Sequence, residues 1–314
     1  MTDKGGDWAG IALGLSAALC WGLYNVGTEI GQKSGFRPAD LTMLRFGGAA
    51  LLLAPVLLVM RGQLPSLRRI VLLTLLVGPI FALLFNQGFR HAPLAHAVVI
   101  APGVSMLTAN LLSWRLDGTR PAGRRVTGMA ILLAALVIIV GDQPAGTRTS
   151  GRIAAPLIGD LCFFASGTLW GIHVYLIGKW RIPPAPTTAA IALLSTLLFA
   201  PVYFAMSRPG TLSAALWAEQ FVYQGLIGGT LAFVVFAAAV LRLGAARAAV
   251  FSAIVPACAV LMAIPLTDRW PSGWQWAGVL AATLGLLVSL DPAALRKRRR
   301  RATLDPKEQA DEQD

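Results

Sequence analysis

Residues 8–28 read WAGIALGLSAALCWGLYNVGT and residues 161–178 read LCFFASGTLWGIHVYLIG, two stretches without Asp, Glu, Lys or Arg. About 20 helical residues cross the roughly 30 Å hydrocarbon core of a bilayer, so each stretch has the length and polarity of one membrane span. Eight further uncharged runs occupy residues 46–60, 70–89, 91–114, 126–141, 182–207, 220–241, 248–267 and 270–290. The run at 46–60 reaches spanning length by starting near Leu41, which takes Arg45 into the membrane, and the run at 126–141 does so by starting near Gly123. A transmembrane strand needs only about 10 residues of alternating polarity, so the runs predict helices. Composition agrees: 56% of the 314 residues are hydrophobic and 13% charged, against about 25% charged in soluble domains. The expected fold is an all-α integral membrane protein with ten transmembrane helices.

Charge placement sets orientation and excludes partners. The formal net charge is +12, but the basic residues sit between apolar runs and in the tail segment RKRRRR at residues 296–301, where a cytoplasmic anchor belongs. With both termini inside, 19 Lys and Arg fall on the cytoplasmic side and seven outside, the asymmetry of a positive-inside protein. The expected location is the plasma membrane, or the inner membrane if the source is Gram-negative. Nucleic acid is not an expected partner, since no domain presents the basic patch. Cys20, Cys162 and Cys258 lie inside apolar runs and give neither a disulfide framework nor metal-ligand spacing. The first run continues as helix-like sequence without a signal-peptidase site and is read as retained. Residues 302–314 are too polar to bury a core and read as a disordered tail.

The second half repeats the first. At an offset of 149 residues Trp21-Gly22 falls on Trp170-Gly171 and Gly10 on Gly159; at 150, Pro121 falls on Pro271 and Gly128 on Gly278. Pro102 matches Pro256 once four residues are gapped. A unit with an odd number of spans enters the membrane from opposite sides in its two copies, so five plus five helices imply inverted repeats about an axis in the membrane plane. The expected organisation is a first repeat over residues 1–141, a linker over 142–155, a second repeat over 156–290 and a basic, then acidic, cytoplasmic tail over 291–314.

Residues 242–290, RLGAARAAVFSAIVPACAVLMAIPLTDRWPSGWQWAGVLAATLGLLVSL, resemble the end of an EamA-type repeat of the drug/metabolite transporter superfamily. The marks are a short charged turn, an Ala-rich helix interrupted by Pro256, the Asp268-Arg269 loop and the helix of Gly278. Trp21-Gly22, Pro38, Leu44-Arg45-Phe46 and Gly128 carry the same resemblance in the first half, and together they cover residues 8 to 290. Two departures accompany it: Asp117 and Asp268 stand where many relatives have Glu, and Glu29 stands where relatives often have a basic residue. The resemblance implies a secondary transporter, with export of a small metabolite such as an amino acid as the expected activity. An importer and a non-transporting receptor or scaffold are the alternatives. Hydrolase, P-loop and zinc-protease motifs are absent from the sequence, so no enzyme activity is expected.

Trp21, Tyr24, Asn25 and Thr28 recur at helical spacing on the first span, and Ser166, Trp170 and His173 form the corresponding stripe on the sixth. Both stripes are substrate-binding candidates expected to meet at one central cavity, with interhelical hydrogen bonding as the competing role. Asn86 and Gln87 end the third run, and His96 and Asn110 lie on the fourth; each is a candidate for substrate contact or for packing. His96 is also a candidate proton carrier, although no carboxylate is near it in sequence. Glu29 and Arg45 are the ionisable candidates, either as a structural ion pair or in coupling. No cofactor or metal is called for. The expected partners are a small-molecule substrate, a coupled proton or exchanged solute, the lipid bilayer and, as an open alternative, a second copy of the chain. Leu286 is the expected lipid-facing control position.

Overall fold

The computed structural model describes residues 4–118, 120–141, 154–206, 212–243, 248, 251–268 and 270–289. Among them there is no strand. α1 (Lys4–Lys33), α2 (Pro38–Val59), α3 (Leu67–Gly88), α4 (Leu94–Asp117) and α5 (Gly123–Gly141) make up the first half; α6 (Ala154–Trp180), α7 (Pro184–Met206), α8 (Ala214–Leu243), α9 (Val255–Thr267) and α10 (Gly273–Ser289) make up the second. α1 to α8 are long and apolar enough to cross a membrane. α9 and α10, with 13 and 17 residues, are apolar but shorter. The uninterrupted run at 248–267 therefore does not make one continuous helix, because the chain turns at Ile254 and restarts with Pro256 in the first turn of α9. Proline lacks a backbone donor and fits best at a helix start. Residues 142–153 of the expected linker, residues 290–314 with the basic tail, and Arg269 lie outside the described residues.

Local chemistry repeats between the halves where the sequence matches were sparse. α1 ends with Gly35 in the left-handed region (φ 97°), Phe36 N–H donating to the Gly31 carbonyl and Gly35 N–H to that of Gln32. α6 ends the same way: Arg181 has φ 50°, Ile182 N–H donates to the Ile177 carbonyl and Arg181 N–H to that of Gly178. Both are Schellman endings, which satisfy the last free carbonyls of a helix and normally place Gly at the left-handed position. Each is followed by a buried apolar residue, Phe36 or Ile182, and a helix that begins at proline, Pro38 or Pro184.

Packing partners also exchange between the halves. α4 lies against α6 as α9 lies against α1; α3 lies against α6 as α8 lies against α1; α2 meets α8 as α7 meets α3. α2 and α7 pack on each other, as do α5 and α10. Glycines set the closest approaches. A Cβ on Gly171 would fall 2.6 Å from the Ser105 carbonyl oxygen, and one on Gly22 would fall 3.2 Å from the Ala259 amide nitrogen. Ser105 and Ala259 stand in the same 154-residue register as Pro102 and Pro256. α4 is the hub: it is almost wholly buried from Leu94 to Ser105, and its core extends to Phe163, Leu132 and Val279. Large apolar side chains elsewhere, such as Leu58, Val137 and Leu241, face outward, as a lipid-bathed surface requires. Leu286 is not among them: it packs against the core, whereas Leu284 is 53% exposed.

Candidate functional site

Arg45 occupies the second turn of α2 and turns inward. It is only 9% exposed, and its Nη1 donates to the Tyr24 hydroxyl. Its Cζ lies 4.6 Å from the Tyr24 ring centroid, 5.7 Å from that of Phe81 and 5.9 Å from that of Phe46. An arginine at a helix centre costs about 2.5–3.5 kcal/mol on insertion scales, and a cation–π contact with a desolvated aromatic face returns about 2 kcal/mol or more. Among the described residues no carboxylate lies within 4 Å of it. Glu29, the expected partner, pairs with Lys33 at 2.5 Å instead. The two are one helical turn apart on α1, the spacing at which opposite charges meet without tertiary help, so Glu29 and Arg45 are not brought together.

About one helical turn along α1 and α2 from Tyr24 and Arg45 lies a polar layer built on two threonines, Thr28 and Thr42. Thr28 Oγ1 donates to the Tyr24 carbonyl and accepts from Gln224 Nε2 at 3.0 Å. Thr42 Oγ1 donates to the Pro38 carbonyl and accepts from Asn86 Nδ2 at 3.0 Å. Gln32 Nε2 donates to the Asn86 carbonyl at 3.1 Å. The amide oxygens of Asn86 and Gln224 are buried and have no partner. Asn25 Nδ2 donates to the Trp21 carbonyl, and Gln87 pairs with His91 at 3.1 Å, so these two candidates are engaged locally.

The stripes on α1 and α6 are joined through α3. Tyr24 stacks with Phe85 (6.4 Å between centroids), Phe85 with Phe81 (5.9 Å), Phe81 tilts onto Trp170 (5.5 Å), and Trp170 onto His173 (5.4 Å). His173 Nδ1 is buried and unpartnered. Trp21 instead faces Phe233 and Phe236 of α8. Ser166 donates to the Phe163 carbonyl within its own helix, and Asn110 to that of Met106. Just before Phe81 α3 is broken: Gly78 is non-helical and Pro79 restarts the helix, with the Thr74 and Ser195 hydroxyls buried and unpartnered. α8, which takes the place of α3 in the second half, winds as a π-helix over Phe221–Leu231.

His96 and Asp160 form a second buried cluster, Nδ1 to Oδ1 at 2.7 Å between α4 and α6, with His96 Nε2 unpartnered. Asp160 was missed because the spans were bounded by charged residues, which placed it one position outside the sixth run. Its signal was the adjacent Gly159, which the repeat aligns with Gly10 inside the first span. At the end of the bundle near Gly35, Tyr203 of α7 donates to Asp40 of α2 at 2.9 Å in a buried contact. At the opposite end Lys179 pairs with Asp117 at 2.8 Å, their side chains 44% and 32% exposed. Among the described residues no three His, Cys, Asp or Glu side chains are placed to hold a metal ion.

Helices interrupted in corresponding positions of two repeated halves are a feature of membrane transporters, and here α3 is broken at Gly78-Pro79 while its counterpart α8 departs from regular α-helix. The model of the EamA-like transporter family matches residues 8–141 and 157–290, one match for each half. The chain belongs to the EamA-like transporter family. It is thus a multi-pass membrane transporter built of two EamA repeats, and transporters of this family are not enzymes. It is 25% identical over 284 residues to a protein of Bacillus subtilis (strain 168) named "Uncharacterized transporter YwfM", covering 87% of this chain and 91% of that one. A solved structure described as "Crystal structure of protein" superposes with a TM-score of 0.64 at 21% identity, covering 92% of this chain and 98% of that one, a likeness of fold.

Proposed function

We propose that this EamA-like protein is a secondary transporter that exports a small metabolite, such as an amino acid, by alternating access. Ten crossings arranged as two inverted five-helix halves place both termini in the cytoplasm of a plasma or inner membrane. The observation that carries this reading is the exchange of packing partners between halves. When α4 against α6 and α9 against α1 are versions of one contact, the two halves can trade arrangements, and each arrangement opens a different side. The buried Tyr203–Asp40 and Gln224–Thr28 contacts close the end near Gly35, while the Asp117–Lys179 pair at the other end is exposed, where solvent screens an ion pair. That imbalance supports a molecule closed at the outer end.

His96 and Asp160 are the proposed proton-coupling pair. A carboxylate and an imidazole buried together inside a membrane protein are expensive unless one proton is shared or exchanged, which is why such pairs mark proton pathways. The test is flux in liposomes holding the purified full chain, screened with labelled metabolites under imposed proton and ion gradients. Gradient-driven or exchange flux for a metabolite is the expected result; none across a broad panel would favour the scaffold alternative. Driving the same substrate with gradients of either sign separates export from import.

A further inference from the structure

We infer that Arg45 is the anchor for a carboxylate on the transported molecule, and that the unpaired amide oxygens of Asn86 and Gln224 receive an ammonium group of the same molecule. The substrate class is then a small zwitterion with an apolar body. The inference deepens the transport reading above and rests on it for the word transported.

A guanidinium carries five N–H donors, and Arg45 directs one of them to Tyr24. The aromatic rings around it offer faces to a cation but no counter-charge, and among the described residues no carboxylate is within 4 Å. An arginine so enclosed, with a planar fork suited to carboxylates, lacks the one partner its geometry fits.

The second half of the inference comes from proton bookkeeping in the polar layer. Thr28 and Thr42 each commit their hydroxyl proton to a backbone carbonyl, Tyr24 and Pro38 respectively. Each hydroxyl can therefore only accept from its amide neighbour, which forces the NH₂ of Gln224 and of Asn86 toward it. The two amide oxygens are then fixed as acceptors, and both are buried without a donor. Thr28 is four residues beyond Tyr24 and Thr42 three residues before Arg45, so along α1 and α2 the backbone of this layer lies about one turn, ~5 Å of helix rise, from the residues that hold the guanidinium. A small zwitterion bridges that separation with a hydrogen bond at each end. Phe81, Phe85 and Trp170 present the apolar wall beside it.

The experiment measures thermal stabilisation and affinity of the detergent-purified full chain. Its probes are the proteinogenic L-amino acids, their deaminated acids and their decarboxylated amines. At least one amino acid should bind, its matched acid about tenfold more weakly, and its matched amine least. Arg45→Gln should weaken the acid-bearing probes at least tenfold and Arg45→Lys less. Gln224→Met and Asn86→Leu should reduce the amino acid to the affinity of its deaminated acid while leaving that acid unchanged, a selectivity that general loss of packing would not give. The anchor is overturned if amines bind as well as acids, if no acid-bearing probe binds, or if Arg45→Gln binds like the parent. Where Arg45→Gln does not assemble, the ranking of the probe classes on the parent and on Arg45→Lys decides. Counterflow of the same probes in liposomes separates the two readings: acid binding without flux would sink transport and keep the anchor, and flux of amines indifferent to Arg45→Lys would sink the anchor and keep transport.

Discussion

Tyr24 touches both the buried charge and the aromatic path to α6, so its hydroxyl can serve packing or substrate. Magnitude separates the roles. A neutral side-chain hydrogen bond between membrane helices contributes about 0.6 kcal/mol on average and one to a charged group about 1.5–3 kcal/mol, so Tyr24→Phe, which removes the acceptor of the Arg45 guanidinium, should lower stability modestly and still assemble. Tyr24→Phe and His173→Ala are therefore expected to insert like the parent and to bind substrate several-fold more weakly, with Leu284→Ala, at a lipid-facing position, as the control. Parent-like affinity in both variants would remove Tyr24 and His173 from the cavity. Asp160 belongs to a different step. Asp160→Asn retains a hydrogen-bonding side chain of the same shape beside His96 but cannot carry a proton, so flux driven by a pH gradient should fall at least tenfold while substrate counterflow persists. Loss of both would make the pair structural.

Among the helices, glycine spacing decides how closely the halves can approach, and the two equivalent crossings are not equally tight. At Gly171 a Cβ meets the Ser105 carbonyl oxygen at 2.6 Å, a backbone atom that cannot swing away. At Gly22 the nearest atoms are at 3.2 Å and include Met262 Sδ, the end of a flexible side chain. Overpacking costs about 1–3 kcal/mol when rigid groups must move, so Gly171→Ala should lower the melting temperature in detergent clearly and Gly22→Ala much less. The reverse order would show that the two crossings are not related as drawn. The broken α3 and the π-wound α8 sit at the same element scale: Pro79 removes a donor in one, and in the other Thr230 Oγ1 donates to the Gly225 carbonyl, five residues back.

For the whole molecule, inversion has a direct signature at the two Schellman endings. Ser34, beside Gly35, and Arg181 occupy equivalent places in the two halves, yet inverted repeats put them on opposite faces of the membrane. Single cysteines in a Cys-free background should be labelled from outside at Ser34 and Ser272, and from inside at Gln63 and Arg181. Ser34 and Arg181 labelled from the same side would end the inverted arrangement, and reversal at all four positions would leave it standing while overturning the cytoplasmic placement of the termini.

Membrane residence, helical class and duplication were legible from the chain alone, because lipid demands long uncharged runs and because Trp-Gly and Pro-Gly landmarks recur at a nearly constant offset. The stripe on α1 was legible for the same reason: helical periodicity is a local property. The partners of its residues were not. Arg45 could be read as Glu29's ion-pair partner or as part of the coupling machinery until tertiary packing enclosed it in aromatic rings from α1, α2 and α3 and left Glu29 with Lys33. Asp160 and His96, 64 residues apart, meet only because α4 and α6 lie together, and the amide oxygens of Asn86 and Gln224 are orphaned only by where Thr42 and Thr28 spend their protons. Sequence determines what one helix can present; which charge, ring or hydroxyl it faces depends on helices that fold back from distant parts of the chain.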